Sequence, residues 1–188
     1  MINFLKERSK KHISLIKNFD ESFFNKFEKL CLFSSKSLRS NGKIISFGNG
    51  GSASDSIHFT AELVSQYKKK RESLPSVSLN SNISTITSIA NDDDYKRIFT
   101  RQLESLYNET DFIICLTTSG NSSNILNSIE FLNKLNADYF LLTGDDGGKC
   151  GKISKNTLNV NSNEVDLIQE IHYMILHSLC DYLEENLF

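Results

Sequence analysis

Two side chains able to handle protons stand one helical turn apart in this chain, His58 and Glu62. At i and i+4 of a helix they face the same way. An imidazole beside a carboxylate can hold an ion pair, share a proton or bind a metal. A lone pair of this kind is most often a surface ion pair. What raises its interest is the stretch before it, Gly48-Asn49-Gly50-Gly51-Ser52, with three glycines in its first four residues. Glycines let backbone N–H groups approach a ligand closely, and a helix start behind them favours negative charge. With Ala53 the stretch also satisfies G-x-G-x-x-A, but a dinucleotide site wants an acid at the end of the second strand. Leu79-Asn80 stands there, and Glu72 comes too early. No Lys-Ser/Thr follows at the spacing of a Walker loop. A nucleotide cofactor is not expected.

A second loop, Thr117-Thr118-Ser119-Gly120-Asn121-Ser122-Ser123, carries five hydroxyl residues in seven and opens a helical pattern. Hydroxyls are directional donors and the helix start has free N–H groups, so together they suit a phosphate monoester without Arg or metal. The bland reading is ordinary loop and cap chemistry. A third loop, Thr143-Gly144-Asp145-Asp146-Gly147-Gly148, holds two acids, which argue against anion contact and make it wall or structure. Further along, Gln169, Glu170, His172 and His177 interrupt an apolar pattern and need partners. His177 could equally be a satisfied core histidine.

The elements that must position these residues follow from periodicity. Residues 2–40 read as two helices: Ile2, Leu5, His12, Ile13 and Ile16 mark one face, Asp20 can cap the second, and Ser40-Asn41-Gly42 stops it. Short apolar runs follow at 43–47, 77–79, 112–116, 139–142 and 157–160, with helical patterns at 54–67, 83–91, 95–107 and 124–135. Runs apolar on both parities suit parallel strands covered on both faces. The alternation predicts an α/β fold, a doubly wound five-stranded parallel sheet with right-handed crossovers. Both phosphate-type loops then fall at the C-terminal strand ends, where open α/β sheets bind ligands. The last helix, 165–187, is apolar nearly all round and should be buried on most sides, with Asn163 and Asp166 as a capping box. No repeat or Pro/Gly linker breaks the chain, so 1–188 reads as one domain with 1–41 as a helical extension.

Composition narrows the classes. The chain has 188 residues, enough for a core without staples. Lys+Arg 21 against Asp+Glu 23 gives a formal net charge of −2, not the basic excess of a nucleic-acid binder. Cys31, Cys115, Cys150 and Cys180 form no C-x-x-C pair, the N-terminus turns charged too early for a signal peptide, and no apolar run approaches ~18 residues. The expectation is a cytoplasmic protein with reduced cysteines, touching neither membrane nor nucleic acid.

Taken together, Phe47 to Ser52, Asp55, His58-Phe59-Thr60-Ala61-Glu62-Leu63, Asn91-Asp92, Thr118 to Ser122, and Gln169-Glu170-Ile171-His172 through His177 resemble the phosphoheptose isomerase family of SIS (sugar isomerase) domains. The likeness runs over essentially the whole chain, and the His58/Glu62 and Gln169/His177 pairs are its specific part. It implies a flavodoxin-like SIS fold and conversion of sedoheptulose 7-phosphate into D-glycero-D-manno-heptose 7-phosphate, the first step toward activated heptose for surface polysaccharides. It also implies a homotetramer with active sites at subunit contacts. By matching position, sugar-phosphate contacts fall on Asn49, Gly50, Gly51, Ser52, Glu62, Asn91, Asp92, Thr117, Thr118, Ser119, Ser122 and Gln169. The general base falls on Glu62 and the second acid/base on His177. Several members hold zinc, whose ligands fall on His58, Glu62, Gln169 and His177.

One tension is geometric: Gln169 and His177 lie eight residues apart, about 12 Å along a helix axis and roughly 80° around it. Departures from the family pattern bear on the substrate. Gln66 stands where an Arg is frequent, and the run Lys68, Lys69, Lys70, Arg71 that follows reads first as a solvated loop and second as a compensating cation. Asp93-Asp94-Tyr95 replaces an aromatic-Gly, and Thr117 keeps the hydroxyl of a frequent Ser. The rival readings are a non-catalytic SIS binding protein of the replication-initiator-associating type and an isomerase of a different sugar phosphate.

Overall fold

The computed structural model describes residues 2–188; Met1, and the side chain of Ile2 that the sequence assigns to a helix face, lie outside the described residues. Two helices, α1 (Ile2–Lys17) and α2 (Glu21–Arg39), precede β1 (Ile44–Gly48), α3 (Gly51–Val64), β2 (Ser76–Ser78) and α4 (Ile83–Asp92). A 3-10 turn (Tyr95–Arg97) leads to α5 (Thr100–Leu106), followed by β3 (Phe112–Leu116), α6 (Ser123–Lys134), β4 (Tyr139–Gly144), α7 (Gly148–Ile153), β5 (Thr157–Val160) and α8 (Val165–Leu187).

The five strands are all parallel, in the order β2-β1-β3-β4-β5. This is the flavodoxin-like order, in which the chain winds to both sides of β1 by right-handed crossovers. Gly48 lies level with Leu116, and Leu116 with Leu142, so the loops after β1, β3 and β4 leave the sheet at one edge.

Strand parity divides the core. Ile44, Phe112, Ile114, Leu116, Phe140 and Leu142 face α2, α3 and α8, where they meet Leu30, Phe59, Leu63 and Leu179. Ile45, Phe47, Ile113, Cys115 and Leu141 face the other layer, with Phe99, Leu103, Ile125 and Ile129. Every residue of β1, β3 and β4 is buried, which is why the runs of β3 and of Tyr139–Leu142 in β4 are apolar on both parities. Burying side chains the size of Phe59 or Leu63 contributes roughly 1.5–3 kcal/mol each. Since α3 and α8 pack side by side on one face, the His58/Glu62 helix and the His177 helix are neighbours.

Several local expectations need correction. The helix at 54–67 begins earlier, because Gly51 is already helical, and ends at Val64. The 95–107 pattern divides because Asp94 caps a separate turn by accepting from Lys96 N–H. Gly148–Ile153 forms a short helix where the glycines suggested only loop. At α8 no capping box forms: Glu164 is the N-cap without a side-chain bond, and Asp166 is taken by Arg8. The same helix is buried against α2, α3 and the sheet along most of its length, as its apolar pattern predicts, with Val165 (53% exposed) and Met174 left uncovered. Asp20 does cap α2, accepting from Phe23 N–H, and Asn41 takes the left-handed conformation just past its end.

All four cysteines are free and buried. Among the described residues no helix is long and apolar enough to cross a membrane.

Candidate active site

The first glycine loop is shaped by what presses on it. Gly50 has φ +56°, a conformation glycine adopts without strain. A Cβ on Gly51 would collide with the Gln169 amide, which lies against this helix start. Asn80 grips Gly48 on both sides, accepting from its N–H (3.1 Å) and donating to its carbonyl (3.0 Å). Asn49 and Asn124 exchange two amide hydrogen bonds of 2.8 Å, tying this loop to the start of α6, and Tyr95 donates to Asn49 Oδ1 (3.3 Å). Asn49 therefore braces two loops to each other. Ser52 is buried beneath Gly48, while Gly50 and Gly51 stay exposed.

The hydroxyl loop is held from below by the third loop. Gly120 has φ +63°, and any Cβ there would strike the Gly147 carbonyl. Cys150 N–H donates to Gly120 O (2.8 Å), Lys149 N–H to Asn121 Oδ1 (3.2 Å) and Gly144 N–H to Thr118 O (3.0 Å). The acidic loop thus acts as a wall. Thr117 is buried, and its Oγ1 accepts from Gly120 N–H (3.3 Å). Ser119 is exposed, Thr118 and Ser122 are half-buried, and the Ser122 hydroxyl does not cap α6. A cap residue whose hydroxyl is left free, at the start of a twelve-residue helix, suits an anion such as phosphate.

The proton-handling groups meet on the α3–α8 seam. His58 Nε2 lies 3.1 Å from Glu62 Oε1 and 3.3 Å from His177 Nε2. His177 is enclosed by rings: Tyr67 stacks on it at 5.4 Å and 24°, and Tyr173 meets it edge-on at 4.3 Å. Burial first, and then the neighbouring His58, hold the His177 imidazole below its ordinary pKa, against the pull of Glu62 and Asp181. His177 thus belongs to this cluster and is not a satisfied core residue. The core histidine of α8 is His172. It is fully buried, and its ring lies against the Thr143 backbone without a well-formed hydrogen bond; burial pushes it down to about 4.

Gln169 stands apart. Its amide lies against Gly51, seven residues before His58, two turns or about 10 Å along α3. With Asp55, Asp166, Glu170 and Tyr173 it lines a cleft of about 460 Å³. One oxygen of Asp55 is buried there without a partner, and burial pushes this carboxyl up to about 6 against the influence of His58. Asn91 and Asp92, at the end of α4, are exposed; Asn91 Nδ2 and Ser88 Oγ donate to the Asp92 carboxylate (2.7 and 3.2 Å). They do not touch the seam.

Ligand atoms about 2.0–2.1 Å from a tetrahedral zinc ion stand about 3.3–3.4 Å from one another. The His58 and His177 nitrogens, 3.3 Å apart, have that spacing, and Glu62 touches His58. The three form a chain rather than a closed triangle: among the described residues no three His, Cys, Asp or Glu groups already converge on one point. The two histidines fit, Glu62 completes them chemically, and Gln169 lies outside the cluster.

Residues that sequence reasoning left without a role are Tyr67, Tyr173, Asn80, Asn124 and Asp55. Tyr173 had a signal, since 169, 173 and 177 follow one four-residue stripe of α8. Asn80 and Asn124 had none, because their partners lie far along the chain.

A SIS domain family model matches residues 9–144. A phosphoheptose isomerase of Helicobacter pylori (strain ATCC 700392 / 26695) is 44% identical over 151 residues, 80% of this chain and 79% of that protein. One from Aliarcobacter butzleri (strain RM4018) is 38% identical over 176 residues, 94% of this chain and 93% of that protein. In structure, the phosphoheptose isomerase of Neisseria gonorrhoeae superposes with a TM-score of 0.90 at 28% identity, covering 97% of this chain and 98% of that one.

Proposed function

This chain belongs to the phosphoheptose isomerase family of SIS-domain proteins, and from that premise we propose that it converts sedoheptulose 7-phosphate into D-glycero-D-manno-heptose 7-phosphate through an enediol. The observation that carries the assignment of roles is the contact chain Glu62–His58–His177 at 3.1 and 3.3 Å, which joins the helix that leaves the glycine loop to α8. A non-catalytic docking protein has no use for a carboxylate and an imidazole held together in this way.

The mechanism follows from the chemistry of the groups. The phosphate sits in the hydroxyl loop, bound by Thr118, Ser119 and Ser122 and by the start of α6. Thr117 and Asn49 shape that cradle, and Gly50, Gly51 and Gln169 border the sugar, with the buried Ser52 supporting the glycine loop from beneath and Asn91 and Asp92 closing over the sugar's hydroxyls. The glycine loop lies about 10 Å along α3 from His58, a distance comparable to an open-chain heptose. Glu62 takes the proton from C1. The C1–H electron pair forms the C1=C2 bond, and the carbonyl pair moves to O2, which takes a proton from His177. O1–H then yields its proton to the imidazole, C1=O forms, and Glu62 returns its proton to C2. An imidazole held below its ordinary pKa by burial is neutral near pH 7, able to donate at one nitrogen and accept at the other.

His58, Glu62 and His177 would hold zinc; the family resemblance implies Gln169 as a fourth ligand, although its amide lies against Gly51 here. Bound there, the ion would polarise the carbonyl as a Lewis acid. We further read the protein as a cytoplasmic homotetramer serving heptose supply for a surface polysaccharide, with residues 1–41 as a helical extension of one SIS domain. The uncovered apolar residues Phe4, Leu5 and Ile13 of α1 support the association.

Turnover of sedoheptulose 7-phosphate by the purified protein, followed by NMR with and without chelator, tests the reaction. Glu62→Gln is expected to lower kcat by at least about 10³-fold while binding stays within about tenfold. Loss of binding with chemistry intact would overturn the assignment of the base.

A further inference from the structure

The run Lys68 to Arg71 ends in a residue that is not solvated. The Arg71 side chain is 1% exposed and the Glu184 side chain 3%, and they pair at 2.8 Å between Nε and Oε1. Glu184 is on α8, seven residues and two turns beyond His177. Its carboxylate also accepts three successive backbone amides, from Tyr67 (3.1 Å), Lys68 (3.0 Å) and Lys69 (2.9 Å). Arg71 spends its remaining donors on carbonyls: Nη1 on Leu63 (2.9 Å) and Glu72 (2.9 Å), Nη2 on Glu62 (2.8 Å). The carbonyls of a helix's last turn lack intrahelical donors, and Arg71 supplies two of them at the end of α3.

Two of the residues that this pair holds bear on the reaction. One is Glu62, the base, whose own carbonyl accepts from Arg71. The other is Tyr67, whose amide is fixed by Glu184 and whose ring covers His177 at 5.4 Å. We propose that Arg71 and Glu184 are positioning residues for the isomerisation: one buried pair sets the last turn of α3 and the Tyr67 ring so that base and imidazole keep a common geometry. A guanidinium is needed because only its planar fork reaches a carboxylate and two helix carbonyls at once; an ammonium keeps the charge and loses the fork. Misplacing a catalytic group by about 1 Å can cost about 100-fold. The proposal rests on the reading of Glu62 and His177 given above.

Arg71→Lys is the primary test, because it leaves Glu184 a buried partner of opposite charge. The expected result is a folded protein of unchanged oligomeric state, with kcat lowered about 10- to 100-fold and KM within about threefold. Substrate deuterated at C1 should then show an increased isotope effect on kcat, because proton removal has become the slow step. Tyr67→Ala supplies a second arm that leaves the ion pair in place: kcat falls with KM held, and Tyr67→Phe, which keeps the ring, recovers most of the loss. A merely structural latch would lower the melting temperature and leave kcat and isotope effect per folded molecule as in the parent; that result in Arg71→Lys overturns the proposal. If Arg71→Lys does not fold, undiminished kcat in Tyr67→Ala overturns it instead. An active Glu62→Gln removes the underlying reading and the proposal with it. An inactive Glu62→Gln beside fully active Arg71→Lys and Tyr67→Ala overturns the positioning role alone.

Discussion

Along the α3–α8 seam each proton-handling side chain is braced by a ring, a buried charge or another titrating group, whereas α4, which carries Asn91 and Asp92, buries no residue at all. Ile83 at its start is 74% exposed, and the partly buried Ile86 and Ile89 are what hold it to the core. The difference separates two tasks. Proton transfer needs groups fixed to within a fraction of an ångström before substrate arrives. Recognition of hydroxyls tolerates a segment that settles on the sugar, and elements that move in binding come from the least stable parts of a fold.

The contrast can be broken most severely at the seam. His177→Ala should lower kcat by about 10²- to 10⁴-fold in steady-state assays, with a smaller change in KM. A loss confined to KM would mean that the imidazole binds rather than shuttles. The next largest effect concerns the buried histidine on the sheet-facing side of the same helix. His172 is held at about 4, below its unfolded value of 6.5, so between those pH values the unfolded chain binds the additional proton. Stability therefore falls as pH drops through that window, by up to about 1.4 kcal/mol per pH unit from this residue. Denaturant titrations of His172→Leu should show a flatter acid limb than the parent; an identical limb would remove His172 from the account.

In the hydroxyl loop, Ser122→Ala should raise KM about two- to thirteen-fold, corresponding to about 0.5–1.5 kcal/mol for one hydrogen bond, and lower kcat less. The mildest change is expected on α4. Ile83→Ala should move unfolding free energy by no more than about 0.5 kcal/mol, as for surface sites generally. A cost of 2 kcal/mol or more in a denaturant titration would show that the segment is packed as firmly as the seam, and the contrast would fall.

Much of this was legible in the chain itself. Runs apolar on both parities announced β3 and β4, and the i, i+4 spacing announced that His58 and Glu62 share one face of α3. Other features depended on encounters between distant segments. Arg71 closes a run of four cations that looks solvated, and only the arrival of Glu184, 113 residues later, turns its last member inward. Asn163 and Asp166 have the spacing of a capping box, yet Arg8 from α1 claims Asp166. Gly148–Ile153 is helical because the loop beneath Gly120 must turn sharply there, a demand set by tertiary packing and invisible to periodicity. The resting place of the Gln169 amide, against Gly51 at the start of α3, is another such encounter.

The contact of Gly120 with Gly147 and Gly148 has an implication for engineering. Main chain meets main chain there, and a side chain on Gly120 or Gly148 would wedge the segments apart. The hydroxyl loop is consequently not a portable cassette. A designer who transplants 117–123 onto a foreign scaffold must carry the 144–150 turn with it, and a chimera that exchanges one segment without the other should splay open at that seam and lose its hold on inorganic phosphate.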